Sequence, residues 1–204
     1  MDNMECDLKM VKKNILRRIK FVPILQTNEK IIEQVRKWRN SPEIRKYMYN
    51  DHYIIKKEHQ VWFKSLRERN DAKVWVIYLD AIPVGVADLI NINYKNKITD
   101  WGFYIGDKNF RGRGLGKLIL YNLMNYVFEE MNLHRMYTMV LENNAVAINL
   151  YKKMGFKEEG TLRKHLVRRK KYIDVIPMAI LKEEWESVRD DLKNKYNFVE
   201  VQIR

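Results

Sequence analysis

Trp101-Gly-Phe-Tyr-Ile105, Arg111-Gly-Arg-Gly-Leu-Gly-Lys117 and the apolar run from Leu118 read as a strand, a glycine-rich turn and a helix in succession. Three alternating glycines let the backbone turn sharply and approach a ligand without Cβ interference. The first amides of a helix lack internal partners, and with the helix dipole they form an anion site suited to a pyrophosphate. Arg111, Arg113 and Lys117 add positive charge. A plain tight turn for helix–sheet packing would use the same glycines. No Gly-Lys-Ser/Thr follows, so this is not a Walker A loop. The turn also lies past the middle of the chain, whereas a dinucleotide fold places it near its first strand.

Working outward, Ile98 to Gly106 and Val84 to Asn93 read as a hairpin across Lys95-Asn-Lys97. Val74 to Leu79 is a further strand, with a turn expected around Pro83. Upstream, Ile19 to Leu25 can be a first strand. Asn28 can cap a helix through Arg39, which Ser41-Pro42 breaks. A second helix fits Lys56 to Arg69. Downstream, the helix from Gly114 runs to Met131, and Arg135 to Leu141 alternates as a strand. Ala145 to Met154 is a helix stopped by Gly155. Strands fit Phe156 to Val167 and Tyr172 to Ile180, and Leu181, Trp185, Val188 and Leu192 mark a last helix. This order predicts an α/β fold: a mixed central sheet of about seven strands flanked by helices, with a parallel pair near the glycine turn.

With 204 residues the chain suits one compact domain. The division expected is a basic tail over 1–18, a single domain over 19–195 and a C-terminal tail over 196–204. The net charge is +13, but its basic runs are short and carry no zinc-finger or RNA-binding signature. Cys6 is the only cysteine, so no intrachain disulfide can form. The N-terminus lacks the apolar stretch of a signal peptide, and no run approaches a membrane span. A cytoplasmic protein with no metal, no nucleic-acid partner and no membrane partner is expected.

Three segments carry a family resemblance. Arg111-x-x-Gly114-x-Gly116 is similar to the pyrophosphate signature of the GCN5-related N-acetyltransferase (GNAT) superfamily. Trp101 to Ile105 resembles the strand that lines its pantetheine arm. Glu142-Asn-Asn144-Ala-Val-Ala147-Ile-Asn-Leu-Tyr151-Lys-Lys-Met-Gly155-Phe156 resembles the second half of its cofactor site. The resemblance implies acetyl-CoA as co-substrate. Backbone groups of Phe103, Tyr104 and Ile105 would pair with the pantetheine amides. Arg111, Gly112, Arg113, Gly114, Leu115 and Gly116 would hold the pyrophosphate, Asn144 would bond the cofactor arm, and Lys153 would approach its phosphates.

Acyl transfer to an amine needs a neutral amine, a stabilised oxyanion and a protonated leaving thiolate. The resemblance gives the last task to Tyr151. Some relatives carry a glutamate where this chain has Met139, which cannot take a proton. The candidate bases are therefore Asp88, an acid in an otherwise apolar strand, and Glu142. Salt bridging would explain Asp88 without catalysis, a cap-like contact would explain Glu142, and water could also accept the proton.

The N-terminal half resembles the branch that acetylates a nucleotide-linked 4-amino sugar in pseudaminic acid biosynthesis, through Arg39, Met48, Tyr49, His59 and Trp62. Aromatic faces suit a base or sugar, and Arg39 suits a diphosphate. Ordinary packing would use the same aromatic residues. The acceptor implied is a UDP-linked amino-deoxy sugar. The rivals are a ribosomal-protein-type N-terminal acetyltransferase, a polyamine acetyltransferase, and a non-catalytic module that binds acetyl-CoA or nucleic acid. The assembly is left open, a homodimer being one option.

Overall fold

The computed structural model describes residues 19–168 and 170–203. Cys6 and the basic tail over 1–18 lie outside the described residues. The strands are β1 Ile19–Pro23, β2 Lys73–Leu79, β3 Ile82–Asn93, β4 Ile98–Ile105, β5 Arg135–Leu141, β6 Lys157–Glu158, β7 Leu162–Arg168 and β8 Lys171–Leu181. They form one sheet in the order β1-β2-β3-β4-β5-β8-β6, with β7 also paired to β8. The helices are α1 Glu29–Asn40, the single turn α2 Pro42–Arg45, α3 Lys56–Ser65, α4 Leu115–Asn125, α5 Ala145–Lys153 and α6 Lys182–Tyr196.

Local chemistry sets the boundaries. The Asn28 side chain accepts from Ile31 N at 3.1 Å and starts α1. Ser41 and Pro42 end α1, yet Pro42 also occupies the first turn of α2, where its missing N–H costs nothing. α3 stops at Ser65 rather than running to Arg69. Leu66 there turns inward and is buried, and Arg69 forms a bidentate pair with Asp71, 2.8 and 2.9 Å. The turn expected at Pro83 falls earlier, at Asp80, whose φ is 57°, and Pro83 lies within β3 opposite Tyr78. The strand expected over Phe156 to Val167 divides into β6 and β7, with Gly160 between them at φ 148°.

The sheet separates two apolar layers. On β2, Trp75 and Ile77 belong to one apolar layer with Leu118, Leu120, Phe128 and Trp185, and the Trp75 ring meets that of Tyr126 edge-on at 5.5 Å. Val74 and Val76 face α1 and α3, packing with Val35, Leu66 and Val86. Burial on both faces explains why β2 is an unbroken apolar run. Residues 197–203 continue past α6 into the first layer, where Phe198 and Ile203 are buried. Asn122 of α4 clasps them, donating to Val199 O at 3.1 Å and accepting from Val201 N at 2.7 Å.

Candidate active site

β4 and β5 pair in parallel only through Ile98↔Arg135, Thr99↔Met136 and Asp100↔Tyr137. Beyond Tyr137, β5 follows β8 to Leu141, while β4 follows β3 to Ile105. The two strands therefore part, and a wedge opens with Asp100 at its vertex. Gly106 N donates to Val84 O at 2.9 Å, and an antiparallel strand alternates its main-chain direction residue by residue. By that alternation Gly102 and Tyr104 bond β3, whereas Trp101, Phe103 and Ile105 turn their main chain to the wedge. Trp101 N donates there to Asp100 Oδ1 at 2.7 Å, and Ile105 O accepts from Arg111 Nε at 2.9 Å.

The glycine turn follows at the wide end of the wedge. Gly112 and Gly114 have φ of 73° and 84°, a left-handed backbone that side chains disfavour, and nothing lies within 4 Å of where their Cβ would be. Gly114 caps α4, so the free amides of the first turn face open space. Gly116 lets the Phe103 ring lie against the helix, 3.4 Å from the position a Cβ would take. Leu115 is buried beneath the turn. Of the cations, Arg111 is turned back onto β4, with Nη2 3.2 Å from Gly106 O, Lys117 lies over the Tyr196 ring, and Arg113 is exposed. The Asn144 side chain caps α5, accepting from Ala147 N at 3.3 Å, and Lys153 is exposed at the other end of that helix.

α5 brings Tyr151 to the wedge. Its ring packs edge-on against Trp101, centroids 4.8 Å apart, and against Phe156 at 5.9 Å. Burial holds its phenol well above the ordinary range, and the charges of Asp100 and Asp88 push the same way, so it carries its proton at neutral pH. Asp88 sits on β3 opposite Gly102, whose missing side chain leaves the carboxylate room. Burial, then the Asp100 charge, raises Asp88 to about 7, against a Gly102 N–H that stabilises the ionised form. Burial raises Asp100 to about 6. Glu142 is exposed instead and ties β5 to β8, Oε1 accepting from Asp174 N at 3.1 Å. Met139 is 40% exposed and pairs with Pro177.

Three of the five candidate acceptor residues meet at the loop between α2 and α3. Arg39 Nη2 donates to Asn50 O. Arg168 of β7 donates to Met48 O at 3.0 Å and to Tyr49 O, and pairs with Asp51 at 3.2 Å. Tyr49 Oη lies 2.6 Å from His165 Nε2. Arg39 Nη1 and Arg168 Nε are buried and have no hydrogen-bond partner. Burial lowers the Arg39 pKa, and the neighbouring charges of Arg45 and Arg168 add to that, opposed by Tyr104 and Asp51. His59 and Trp62 lie apart from this group. His59 is buried on α3 with its ring 4.9 Å from that of Trp62, and Trp62 packs on the second apolar layer. Burial lowers His59 to about 4, with Arg36 adding to the effect, so its imidazole is neutral. Asp100, His165 and Arg168 are the members of the site that sequence reasoning missed.

Among the described residues, no group of three or more metal-binding side chains occurs, and no helix is long and apolar enough to cross a membrane.

A mixed sheet that parts beside a glycine-capped helix, with a buried phenol packed against the parting strand, is the architecture of an acyl-CoA-dependent transferase. The profile of the Acetyltransferase (GNAT) family matches residues 32–156, and the chain belongs to that family. It is an acetyl-CoA-dependent N-acetyltransferase. Acetyltransferase PseH of Campylobacter jejuni is 29% identical over 138 residues, 68% of this chain and 84% of its own. The spermidine N(1)-acetyltransferase of Vibrio cholerae is 26% identical over 147 residues, 72% and 84% of the two chains. A crystal structure of spermidine N-acetyltransferase from Vibrio cholerae, in complex with CoA and spermine, superposes with a TM-score of 0.77 at 23% identity. It covers 83% of this chain and 99% of that one.

Proposed function

We propose that the protein moves the acetyl group of acetyl-CoA to the 4-amino group of a UDP-linked amino-deoxy sugar. The observation that carries this reading is the pair Arg39 and Arg168, which converge on the 46–53 loop and each keep a buried N–H without a partner. Two guanidinium groups gathered at one loop suit a diphosphate and repel a polycation. The main chain of Phe103 and the N–H of Ile105 suit the pantetheine amides, while Ile105 O is held by Arg111 and Tyr104 turns its backbone to β3. The first turn of α4 suits the pyrophosphate, with Arg113 the cation still open to it. Asn144 and Lys153 flank the same arm from α5. Tyr151 keeps the proton that the leaving thiolate takes, and Asp88 accepts the proton of the amine.

A polyamine acceptor is the second reading, and the buried acids Asp88 and Asp100 favour it, because they attract a cationic amine to the vertex. Turnover of acetyl-CoA against a UDP-linked 4-amino sugar, spermidine and a panel of peptide N-termini separates the readings. Turnover of the sugar alone supports the first. Efficient turnover of spermidine, with the sugar ignored, overturns it.

A further inference from the structure

Asp100 was expected only to be part of a strand, and its position gives it more to do. It is the last β4 residue paired to β5, so it stands where the wedge begins. Asp88 is paired with Gly102, two residues along β4 from Asp100, so both carboxylates lie on one face of the sheet. A side chain at Gly102 would fill the space between them, since its Cβ would stand 3.2 Å from Asp88 Oδ1. Among the described residues neither acid pairs with a cation. Asp88 has the Gly102 N–H, and Asp100 has the Trp101 N–H at 2.7 Å.

The charge of the pair acts on three phenols. Tyr104 on β4 feels the charge of Asp88, Tyr137 on β5 feels that of Asp100, and Tyr151 on α5 feels both. The charge of Arg39 acts on Tyr104 and that of Arg135 on Tyr137, so each of these basic groups meets a phenol of the set.

We propose that Asp88 and Asp100 act as a single proton-holding pair, which takes the proton released by the acceptor nitrogen and returns it to Tyr151. This rests on the acetyl-transfer roles given to Asp88 and Tyr151 above. The nitrogen lone pair forms the C–N bond at the thioester carbonyl, and the C–S bond breaks with its electrons on sulfur. One proton leaves nitrogen for the carboxylate pair. Tyr151 gives its proton to the sulfur, and the proton on the pair then passes to the Tyr151 phenolate. One proton has left nitrogen and one has reached sulfur, so the enzyme regains its starting state. Two carboxylates at diagonal positions on one face, the charge of one acting on the other, do not ionise independently, which keeps the pair able to hold a proton near neutral pH. Asp100 is on this account a positioning residue, acting through Asp88 and Tyr151.

The test uses whichever amine the unaltered enzyme turns over, so its outcome is independent of the acceptor assignment. Asp100→Asn keeps an acceptor for the Trp101 N–H. It is expected to lower kcat about 10- to 100-fold and to move the acidic limb of the kcat–pH profile down, because Asp88 loses a like charge. The acetyl-CoA KM should stay within about twofold. Asp88→Asn combined with Asp100→Asn should be no worse than the poorer single variant by more than about threefold, as for groups acting together. An acidic limb that stays in place in Asp100→Asn, or losses that multiply in the double variant, overturns the proposal. Carboxyl-carbon NMR of the unaltered protein covers the case in which Asp100→Asn does not fold. Two linked titrations above the ordinary aspartate range support the pair, and two independent ones near 4 overturn it.

Discussion

The Tyr49 hydroxyl and His165 Nε2, 116 positions apart in the chain, are 2.6 Å apart in space. Tyr49 belongs to the loop between α2 and α3, and His165 belongs to β7. With Arg168 on the same strand, this contact joins the N-terminal half, which supplies the proposed acceptor residues, to the far edge of the sheet. The 46–53 loop is thus held from both sides of the wedge.

His165→Ala removes that contact and should raise the acceptor KM about fivefold, the size expected for one hydrogen bond. Both side chains are exposed, so the melting temperature should barely change. Steady-state kinetics at saturating acetyl-CoA checks it, and an unaltered acceptor KM would detach Tyr49 from acceptor binding.

Gly114→Val should weaken acetyl-CoA binding at least tenfold, as read by calorimetry on the folded variant. The cause is the backbone rather than crowding, since φ is 84° and the space beyond is open. Gly114→Asn should be milder, because asparagine tolerates the left-handed region. Equal losses in the two variants would show that some other property of Gly114 matters.

Tyr151→Phe should lower kcat by about 100-fold or more while the acetyl-CoA Kd changes less than about twofold. The ring keeps its contacts with Trp101 and Phe156, so packing is preserved. A kcat within a factor of about two of the unaltered enzyme would leave Tyr151 as a core aromatic only.

Asp88 links stability to pH. Its folded-state pKa of about 7 exceeds the ordinary aspartate value. Between those two values the folded chain holds a proton that the unfolded chain has released. Stability from this group is therefore present at low pH and lost as pH rises through about 7. Asp88→Asn should raise stability by up to about 4 kcal/mol at pH 8 and leave it unchanged at pH 4, as measured by urea unfolding. A variant less stable at pH 8 would mean that the carboxylate has a stabilising partner.

Phe198→Ala should cost about 3 kcal/mol, since it empties a buried site against Tyr121 and Tyr196. Thermal unfolding measures it. A loss below about 1 kcal/mol would show that residues 197–203 lie on the domain without supporting it.

The sequence carries much of the fold in its periodicities. β5 begins and ends where the alternation from Arg135 to Leu141 predicts, and the glycine turn leads into α4 as read. Lateral register was beyond reach. Asn93 pairs with Ile98, and an unbroken hairpin from that pair would set Asp88 opposite Phe103, on the other face from where it lies. A bulge around Asn91, whose φ is 52°, shifts the register and sets Asp88 opposite Gly102. Nothing in the local sequence announces that shift, so the partnership with Asp100 was hidden. Arg168 and His165 were hidden for a related reason: they join the site through the β7–β8 hairpin, far along the chain from the loop they touch. His59 and Trp62 share a helix face, as their spacing implies, but that face is turned to the apolar layer.

The loop between α2 and α3 is gripped mainly by its main chain. Arg168 holds the carbonyls of Met48 and Tyr49, Arg39 holds that of Asn50, and Arg36 and Asn40 hold that of Ile54. A carbonyl is the same whatever side chain its residue bears. Outside Tyr49, Asn50, Asp51, His52 and Tyr53, whose side chains make contacts of their own, the loop can therefore exchange its side chains while its anchorage stays in place. Selection for a new acceptor can act on a few exposed positions without reopening the folding problem, which makes this segment a natural place for related enzymes to diverge in taste.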